Sequence, residues 1–286
     1  YGVIAEQGGF GGGQSPIGLR TALTSIKGSS NVYPNLNGQL VCMSLDGTIA
    51  LVANIYGATV YRYSSGWDAG TSVFSGFGIY PYYYSKQIAI SEDGNTILLN
   101  GRVRTYSGGS WSSATVLESS STTGSLNSDG TKAFLCTASS PGNAKVYTYS
   151  GGSWGSGTEL PWAVQPQFIR ISSMSSNGTT AAYIEHELGV LSIFRYSGGS
   201  WSLSNTRTIT TQTEFSLGTS ANGNTVLVGR QPYVDVMKYS GGAWSTQTLS
   251  NTSVNYFGQA VSVSPDGVYY YIGSETSLFV YKNDVF

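Results

Sequence analysis

The six-residue motif Y-S-G-G-S-W constrains the fold of this chain more than any other feature. It occurs unchanged at Tyr106–Trp111, Tyr149–Trp154 and Tyr196–Trp201, and with one substitution at Tyr239–Trp244. With a shorter copy before them and a degenerate one after them, the leading tyrosines fall at positions 63, 106, 149, 196, 239 and 281, so successive copies lie 42 to 47 residues apart. A repeat in the low forties with aromatic and glycine signals is typical of β-propeller blades.

Each complete repeat divides into four short strands. An alternating strand such as Gln39–Leu45 leads into an Asp-Gly or Asn-Gly pair, which predicts a two-residue type I′ hairpin turn. The next strand is apolar, as in Thr131–Ala138, and the third ends on the repeat tyrosine. The glycine pair then reverses the chain into an outer strand that begins with tryptophan, as in Trp201–Ile209. The sequence therefore predicts an all-β, six-bladed β-propeller of four-stranded antiparallel blades.

The two ends of the repeat array are incomplete in complementary ways. Leu19–Ile26 matches the last strand of a blade without the first three, and the final repeat stops at Phe286, just past its third strand. We therefore expect the N-terminal strand to complete the last blade and close the ring, because an open array would leave sheet edges exposed. Residues 1–18 contain seven glycines and no periodicity, so we expect a flexible arm or anchor followed by a propeller domain over residues 19–286.

Composition narrows the range of partners. Charged residues make up 10% of the chain and the net charge is −1, so no basic surface is expected for nucleic acid. No apolar run is long enough to predict insertion into a membrane. A surface rich in Ser, Thr, Asn, Gly and Tyr is typical of extracellular, cell-surface and virion proteins. Cys42 and Cys136 occupy different positions of their repeats, which predicts two buried thiols and no disulfide.

The last repeat resembles an FG-GAP repeat. Phe257-Gly258 precedes an alternating strand, the Asp266-Gly267 turn, an apolar strand and a strand ending at Tyr281. The resemblance covers residues 19–286 as repeats and implies a binding or structural module of the integrin type. Calcium-binding members carry several acidic residues in each loop, whereas each turn here has a single Asp or Asn. Calcium needs several closely spaced oxygen ligands, so no metal or other cofactor is expected.

No convincing catalytic group emerges from the sequence. His186 is the only histidine and lies between Glu185 and Glu187. The one G-x-S-x-G match, Gly151–Gly155, falls in a turn between strands rather than in the strand-to-helix elbow of a hydrolase. Paired carboxylates could hydrolyse glycosides, but no acidic residue recurs at one position of every blade. We therefore predict that the chain is not an enzyme and has no catalytic residues.

The repeated Trp and Tyr side chains have two interpretations. They could form sugar sites between blades, as in lectin propellers, or they could pack one blade against the next. A lectin site would also need a polar partner in each blade. The residue before the repeat tyrosine varies from Arg62 and Arg195 to Thr105 and Val280, which favours packing.

Loops that break the repeat are better candidates for function, since binding residues are concentrated in loops on a rigid scaffold. In a propeller, the connections between blades share one face with the loops between second and third strands. The candidate partner-binding residues on that face are Tyr80, Tyr82, Tyr83, Tyr84, Trp162, His186, Arg230, Tyr233 and Tyr256. The alternative is that these aromatics pack over the central channel.

The function predicted from the sequence is that of a non-enzymatic extracellular or virion-surface propeller for adhesion, receptor binding or structural display. Its partner would be a protein or glycan on another surface, and residues 1–18 could join it to a larger assembly. The alternatives are a soluble carbohydrate-binding lectin and, less favoured, a glycan-active hydrolase.

Overall fold

All the regular secondary structure that the computed structural model describes is β-strand. The described residues are 40–54, 56–75, 88–119, 122–137, 141–162, 166, 168–209 and 215–283. Within these ranges there is no helix, and hence none with the length and apolar character to cross a membrane. The predicted arm (1–18), the predicted closing strand (19–26) and four of the candidate tyrosines lie outside the described residues.

The strands of the described chain form six antiparallel sheets, one for each repeat. The first contains β1 Leu40–Met43, β2 Ile49–Asn54, β3 Gly57–Arg62 and β4 Thr71–Ser75. The second contains β5 Ile88–Ile90, β6 Thr96–Leu99, β7 Arg102–Ser107, β8 Ser110–Trp111 and β9 Thr115–Val116. The third contains β10 Thr122–Leu126, β11 Lys132–Thr137, β12 Ala144–Ser150, β13 Ser153–Trp154 and β14 Thr158–Glu159.

The fourth sheet contains β15 Ile169–Met174, β16 Thr180–Glu185, β17 Val190–Ser197 and β18 Ser200–Thr208. The fifth contains β19 Ser216–Thr219, β20 Thr225–Arg230, β21 Tyr233–Ser240 and β22 Ala243–Ser250. The sixth contains β23 Ala260–Val263, β24 Tyr269–Gly273 and β25 Leu278–Lys282. Strands follow one another across each sheet in chain order, as predicted for blades.

Two of the blades depart from a simple four-stranded pattern. In the second and third sheets two short strands share the outer position, so that β8 and β9 both pair with β7, and β13 and β14 both pair with β12. The sixth sheet has three strands among the described residues, as expected if its fourth strand comes from elsewhere in the chain.

Consecutive sheets pack face to face, and the first strand of each sheet contacts the first strand of the next from β1 through β23. Five apolar clusters fill the five interfaces from the first sheet to the sixth. The second strands are buried on both faces, because alternate residues enter different interfaces. In β16, Ala181 and Tyr183 face the third sheet, while Ala182 and Ile184 face the fifth. This two-sided burial explains why the second strands are apolar almost throughout.

The turns between first and second strands are not the type I′ turns that the sequence predicted. Met43 pairs with Ala50, and residues 45–48 form a four-residue loop closed by the Ser44 N–H, which donates to the Ile49 carbonyl over 2.8 Å. Gly47 has a φ of +71°, but Asp46 has a negative φ, whereas a type I′ turn needs positive values at both central residues. The Asp-Gly pair alone was therefore misleading.

The serine two positions before the Asp or Asn explains the longer loop. The Ser44 hydroxyl donates to Asp46 Oδ1 over 2.6 Å and accepts the Ile49 N–H over 2.9 Å. Asp46 Oδ1 also accepts the Thr48 N–H. The same three bonds recur at the turns that begin with Ser91, Ser175, Ser220 and Ser264. The sequence signal in five of the six sheets is thus Ser-x-Asp/Asn-Gly, and the third sheet has Asn127 in place of the serine, with its Oδ1 accepting the Lys132 N–H.

These turns also link one sheet to the next through the backbone. The N–H of Leu45 donates to the Glu92 carbonyl, that of Glu92 to Ser128, and that of Ser128 to Ser176, at 2.8 to 2.9 Å. Two further bonds run from Asn177 to Ala221 and from Ala221 to Pro265, at 3.0 and 3.1 Å. Five hydrogen bonds therefore connect the six sheets in order.

The cysteine prediction is confirmed. Cys42 and Cys136 are both buried and form no disulfide. Burial raises the pKa of the Cys136 thiol well above its usual value, so this side chain stays protonated and packs as an apolar group.

A pair of glycine substitutions tests the packing of the turns. Gly130 and Gly151 have similar positive φ values of +67° and +58°, but a Cβ on Gly130 would lie 2.4 Å from Thr96 Cβ of the preceding sheet, while one on Gly151 would meet nothing within 4 Å. We expect Gly151→Ala to cost about 1–2 kcal/mol of unfolding free energy from backbone strain alone. Gly130→Ala should cost clearly more, as measured by urea unfolding. Equal losses would contradict the close approach between sheets.

Deletion variants test whether the N-terminal strand completes the sixth sheet. Leu278 and Val280 of β25 are 59% and 57% exposed, so the edge strand of this sheet presents apolar side chains. We expect removal of residues 1–18 to leave the thermal unfolding midpoint unchanged, and removal of residues 1–26 to lower it or cause aggregation. A chain lacking residues 1–26 that is as stable as the intact chain would refute closure by this strand.

Candidate binding face

The two ends of the stacked sheets have different characters. Because each sheet runs antiparallel in chain order, the Ser-x-Asp/Asn-Gly turns and the glycine-pair turns share one end, here called the turn face. The loops between second and third strands and the connections between sheets share the other end, here called the connection face. The turn face repeats from sheet to sheet, and the connection face does not.

The repeated aromatic residues are used within and between sheets. Each repeat tyrosine contacts the tryptophan of its own turn, with ring centroids 5.2 to 5.5 Å apart in five sheets. The tryptophans also pack on neighbouring sheets: Trp244 lies against the cluster between the fourth and fifth sheets, and its Nε1–H donates to Ser204 Oγ over 2.9 Å. These contacts support packing rather than sugar binding as the role of the repeat.

The cations that precede some repeat tyrosines have the same structural role. The Arg62 guanidinium lies 3.9 Å from the ring centre of Tyr106 in the next sheet, and that of Arg195 lies 4.0 Å from Tyr239. Arg195 also donates to the carbonyl of Gly223 over 3.0 Å. Such cation–π contacts stabilise an interface by about 0.5–2 kcal/mol when they are partly desolvated. The positive charge near the motif therefore joins blades instead of facing a ligand.

Five large apolar side chains on the connection face are 36% to 56% exposed, namely Tyr56, Trp162, Phe168, Leu188 and Tyr256. Trp162 is held by its Nε1–H, which donates to Glu159 Oε1 over 3.3 Å. Tyr256 has a φ of +59°, a conformation that non-glycine residues rarely adopt. Tyr56, Trp162, Leu188 and Tyr256 do not recur in the other repeats, and Phe168, which has the sequence position of the buried Phe257, is exposed only here.

A buried carboxylate organises the connection face at the fourth sheet. Glu185 is almost fully buried at the end of β16, and its two oxygens accept the N–H groups of Phe168 and Leu188. The His186 N–H donates to the Phe168 carbonyl over 3.0 Å, and the His186 ring meets Phe215 edge-on. Glu185 therefore fixes the loops that present Phe168 and Leu188. Both of its oxygens are occupied, which makes it unsuited to act with Glu187 on a glycosidic bond.

A second charged group lies at the connection-face end of the groove between the fourth and fifth sheets. Asp235 of β21 is fully buried and accepts two hydrogen bonds from Arg230, over 2.9 and 3.2 Å. Thr248 Oγ1 donates to the same carboxylate over 2.6 Å. Arg207 of β18 brings its Nε to 3.3 Å from Asp235 Oδ2, and the Arg230 guanidinium lies 4.7 Å from the ring centre of Tyr233.

The surroundings of Asp235 keep it ionised. Burial alone would raise the pKa of its carboxyl, but hydrogen bonds from Arg230 and Thr248 and the charges of Arg230 and Arg207 outweigh this effect and lower it. The carboxylate therefore remains charged at neutral pH inside the protein. Removal of one partner from a buried ion pair strongly destabilises the fold, because the other charge is left buried without a counter-charge.

The five predicted site residues that the structure describes do not form a single cluster. Trp162 and Tyr256 are exposed on the connection face, as the prediction required, while Arg230 is largely buried in its pair with Asp235 and contacts Tyr233. His186 belongs to the loop fixed by Glu185. Tyr80, Tyr82, Tyr83 and Tyr84 lie outside the described residues, so their part in the site stays a prediction.

Sequence reasoning placed the segments that contain Phe168 and Leu188 on this face but missed Arg207 and Asp235 as members of it. Asp235 could have been noticed because it interrupts the apolar strand between Val234 and Val236. No local signal marks Arg207, because its partner is in the next repeat.

Comparisons with known proteins establish the fold. No protein-family model matches the chain, and no curated protein sequence matches it. A solved structure of a functionally unknown protein from Desulfotomaculum acetoxidans has a TM-score of 0.62 at 12% identity, and covers 89% of this chain and 84% of that one. The chain is a β-propeller.

Two further β-propellers are provisionally named 6-phosphogluconolactonases. The Bacteroides uniformis structure has a TM-score of 0.59 at 16% identity, covering 90% of this chain and 83% of that one. The Bacteroides fragilis structure has a TM-score of 0.56 at 13% identity, covering 85% and 79%. At these identities the likeness extends to the fold alone. The FG-GAP resemblance remains a resemblance of motifs, since no family model supports it.

Substitution of the buried carboxylate tests its role. Asp235→Asn leaves Arg230 and Arg207 without a counter-charge, and we expect a loss of about 3–5 kcal/mol in the free energy of unfolding at pH 7. Because the folded-state pKa of Asp235 is lowered, its stabilisation is present above the unfolded value of about 3.9 and is lost as the pH falls through the folded pKa. The variant should therefore lose less stability than the wild type on acidification, measured by denaturant unfolding from pH 7 to pH 2.

Asp46→Asn is the matched control, because turns of the fourth and fifth sheets carry Asn177 and Asn222 at the same place. This variant keeps the Oδ1 acceptor and should change stability little at pH 7. A similar loss in both variants would mean that Asp235 has no special role.

Proposed function

We propose that this chain is a non-enzymatic β-propeller that binds a partner through its connection face. The partner is a protein or a glycan on another surface, and the role is adhesion, receptor binding or structural display. The proposed location is extracellular, on a cell surface or on a virion, and residues 1–18 are proposed to join the propeller to a larger assembly.

The observation that carries this proposal is the difference between the two faces. On the turn face the repeated Ser, Asp, Asn, Tyr and Arg side chains are engaged in hydrogen bonds and ring contacts that join the blades. On the connection face Trp162, Leu188 and Tyr256 are exposed and do not repeat. Tyr and Trp are enriched at the centres of binding interfaces, because they bury a large area and offer a polar group.

The lectin alternative is supported only for a sugar site in an unrepeated loop, and not for one site in each blade. A lectin with one sugar site per blade would use the repeated tryptophans, but these lie in inter-blade contacts, and the indole N–H of Trp244 is already bonded to Ser204. A glycan partner would instead stack on an unrepeated aromatic residue such as Trp162. The hydrolase alternative is weakened by Glu185, whose oxygens are both bound to the backbone.

Substitution of two exposed aromatics tests the proposed face. The probes are a printed glycan array and a panel of intact cell types, each exposed to fluorescently labelled protein. We expect the double variant Trp162→Ser/Tyr256→Ser to weaken binding by at least about 30-fold, since central aromatic residues of an interface are each worth roughly 2 kcal/mol. Thermal unfolding should show that the variant remains folded.

Leu45→Ser is the control for this experiment. Leu45 is an exposed apolar residue on the turn face, and the equivalent positions of the third and fourth sheets hold Ser128 and Ser176. Its substitution should leave binding unchanged. Unchanged binding by the double variant would refute the connection face as the binding surface, and conversion of an arrayed glycan to a product would refute the non-enzymatic role.

A further inference from the structure

The group around Asp235 contains more positive than negative charge. Arg230 and Arg207 both face this one carboxylate, and no other acidic side chain of the described residues forms an ion pair with either. Arg230 occupies both carboxylate oxygens in a bidentate arrangement, and Thr248 donates to Oδ1. The carboxylate is thus well satisfied without Arg207.

Arg207 is held beside Asp235 by charge and not by a hydrogen bond. Its Nε is 3.3 Å from Asp235 Oδ2 but has no hydrogen-bond partner in the described part of the chain, because the N–H is not directed at the oxygen. The side chain is 34% exposed, so part of it faces solvent. A guanidinium has five N–H donors in a planar fork that matches the oxygens of a carboxylate or phosphate. In the described part of the chain the Arg207 fork has Asp235 beside it but donates no hydrogen bond.

The corresponding groove between the second and third sheets contains a different charged pair. Lys145, which like Asp235 lies four residues before a repeat tyrosine, is 3.7 Å from Glu118 of the preceding sheet. The Tyr147 hydroxyl also approaches Glu118, and burial together with this carboxylate raises the pKa of Tyr147 to about 12. Lys145 and Glu118 contribute one charge of each sign to that groove. The groove between the fourth and fifth sheets differs because it has two guanidinium groups for one carboxylate.

We propose that Arg207 is the centre of an oxyanion-binding site at the connection-face end of the groove between the fourth and fifth sheets. The ligand group is a carboxylate or a phosphate carried by the partner. Arg207 binds it through its N–H fork, while Arg230 keeps the local potential positive and Asp235 holds both guanidinium groups in place. This inference rests on the proposed binding function and adds a chemical requirement to it: the partner is acidic at this point.

Nuclear magnetic resonance of the Arg207 side chain tests the site with simple probes. The labelled protein is titrated separately with sodium phosphate and sodium acetate at constant ionic strength, adjusted with chloride. We expect the Arg207 Nε–H signal to move saturably with at least one oxyanion and not with chloride alone. Saturation with phosphate indicates a phosphate ligand, and saturation with acetate indicates a carboxylate.

Two variants provide the comparison. Arg207→Gln should weaken the binding of the anion at least about ten-fold, since hydrogen bonds between charged groups are worth roughly 1.5–3 kcal/mol. Lys282→Gln removes one positive charge from an exposed position of β25 and should leave it unchanged. Absence of a saturable shift in the wild type would overturn the proposal, as would equal binding by Arg207→Gln.

The titration can be interpreted without knowledge of the partner and whether or not the variant is stable. The wild-type signal decides the question even if Arg207→Gln fails to fold, because the Nε–H of Arg207 itself is observed. A wild type that binds no oxyanion but still requires Trp162 and Tyr256 for cell or glycan binding would refute this inference and leave the connection face intact. Oxyanion binding without any effect of those two residues would refute the connection face instead.

Discussion

The contact between neighbouring sheets is the interaction on which the rest of this structure depends. A second strand such as β16 is apolar on both faces, and a single sheet would leave one of those faces in water. Burial of both faces requires a sheet on either side, and the free energy comes from apolar area removed from water, about 25 cal/mol per Å². The turns reinforce this stacking, because their glycines admit the preceding sheet and their backbone groups bond to the next one. The repeated Ser-x-Asp/Asn-Gly turns thus join neighbouring blades.

The series of backbone bonds between sheets cannot be continued from the sixth sheet. Each of the residues Leu45, Glu92, Ser128 and Ala221 donates its N–H to the following sheet. Pro265, at the equivalent place in the sixth sheet, accepts a bond from Ala221 but has no N–H to donate. The same bond cannot be made from the sixth sheet to the first. A closing strand contributed by the N-terminal region, as the sequence predicts, would replace this bond with a full strand pairing.

The overall fold could be predicted because its signals are local and repeated. The period, the glycine pairs and the apolar second strands each identify a blade without knowledge of any distant contact. The turn type was mispredicted because Asp46-Gly47 was interpreted alone, although Ser44 directs the backbone into a longer loop through its hydroxyl. The site was less accessible to sequence reasoning, because its members come from different repeats. Arg230 was assigned to a loop but is the last residue of β20, where its partner Asp235 turns it inward, and Arg207 joins them from another sheet.

Because only 10% of the residues are charged, the contacts of each cation indicate whether it stabilises the scaffold or is available to a ligand. Arg62 and Arg195 lie over the tyrosines of the next sheet, and Lys132 donates to the carbonyl of Gly178 in the following turn. These cations act within the repeated scaffold, where a structural requirement explains them. Arg207 differs from these cations, because Arg230 and Thr248 already supply the hydrogen bonds of Asp235 and Arg207 contributes only its charge to the carboxylate. Its side chain is 34% exposed beside the unrepeated loops, so the proposed oxyanion ligand would reach Arg207 from the connection face.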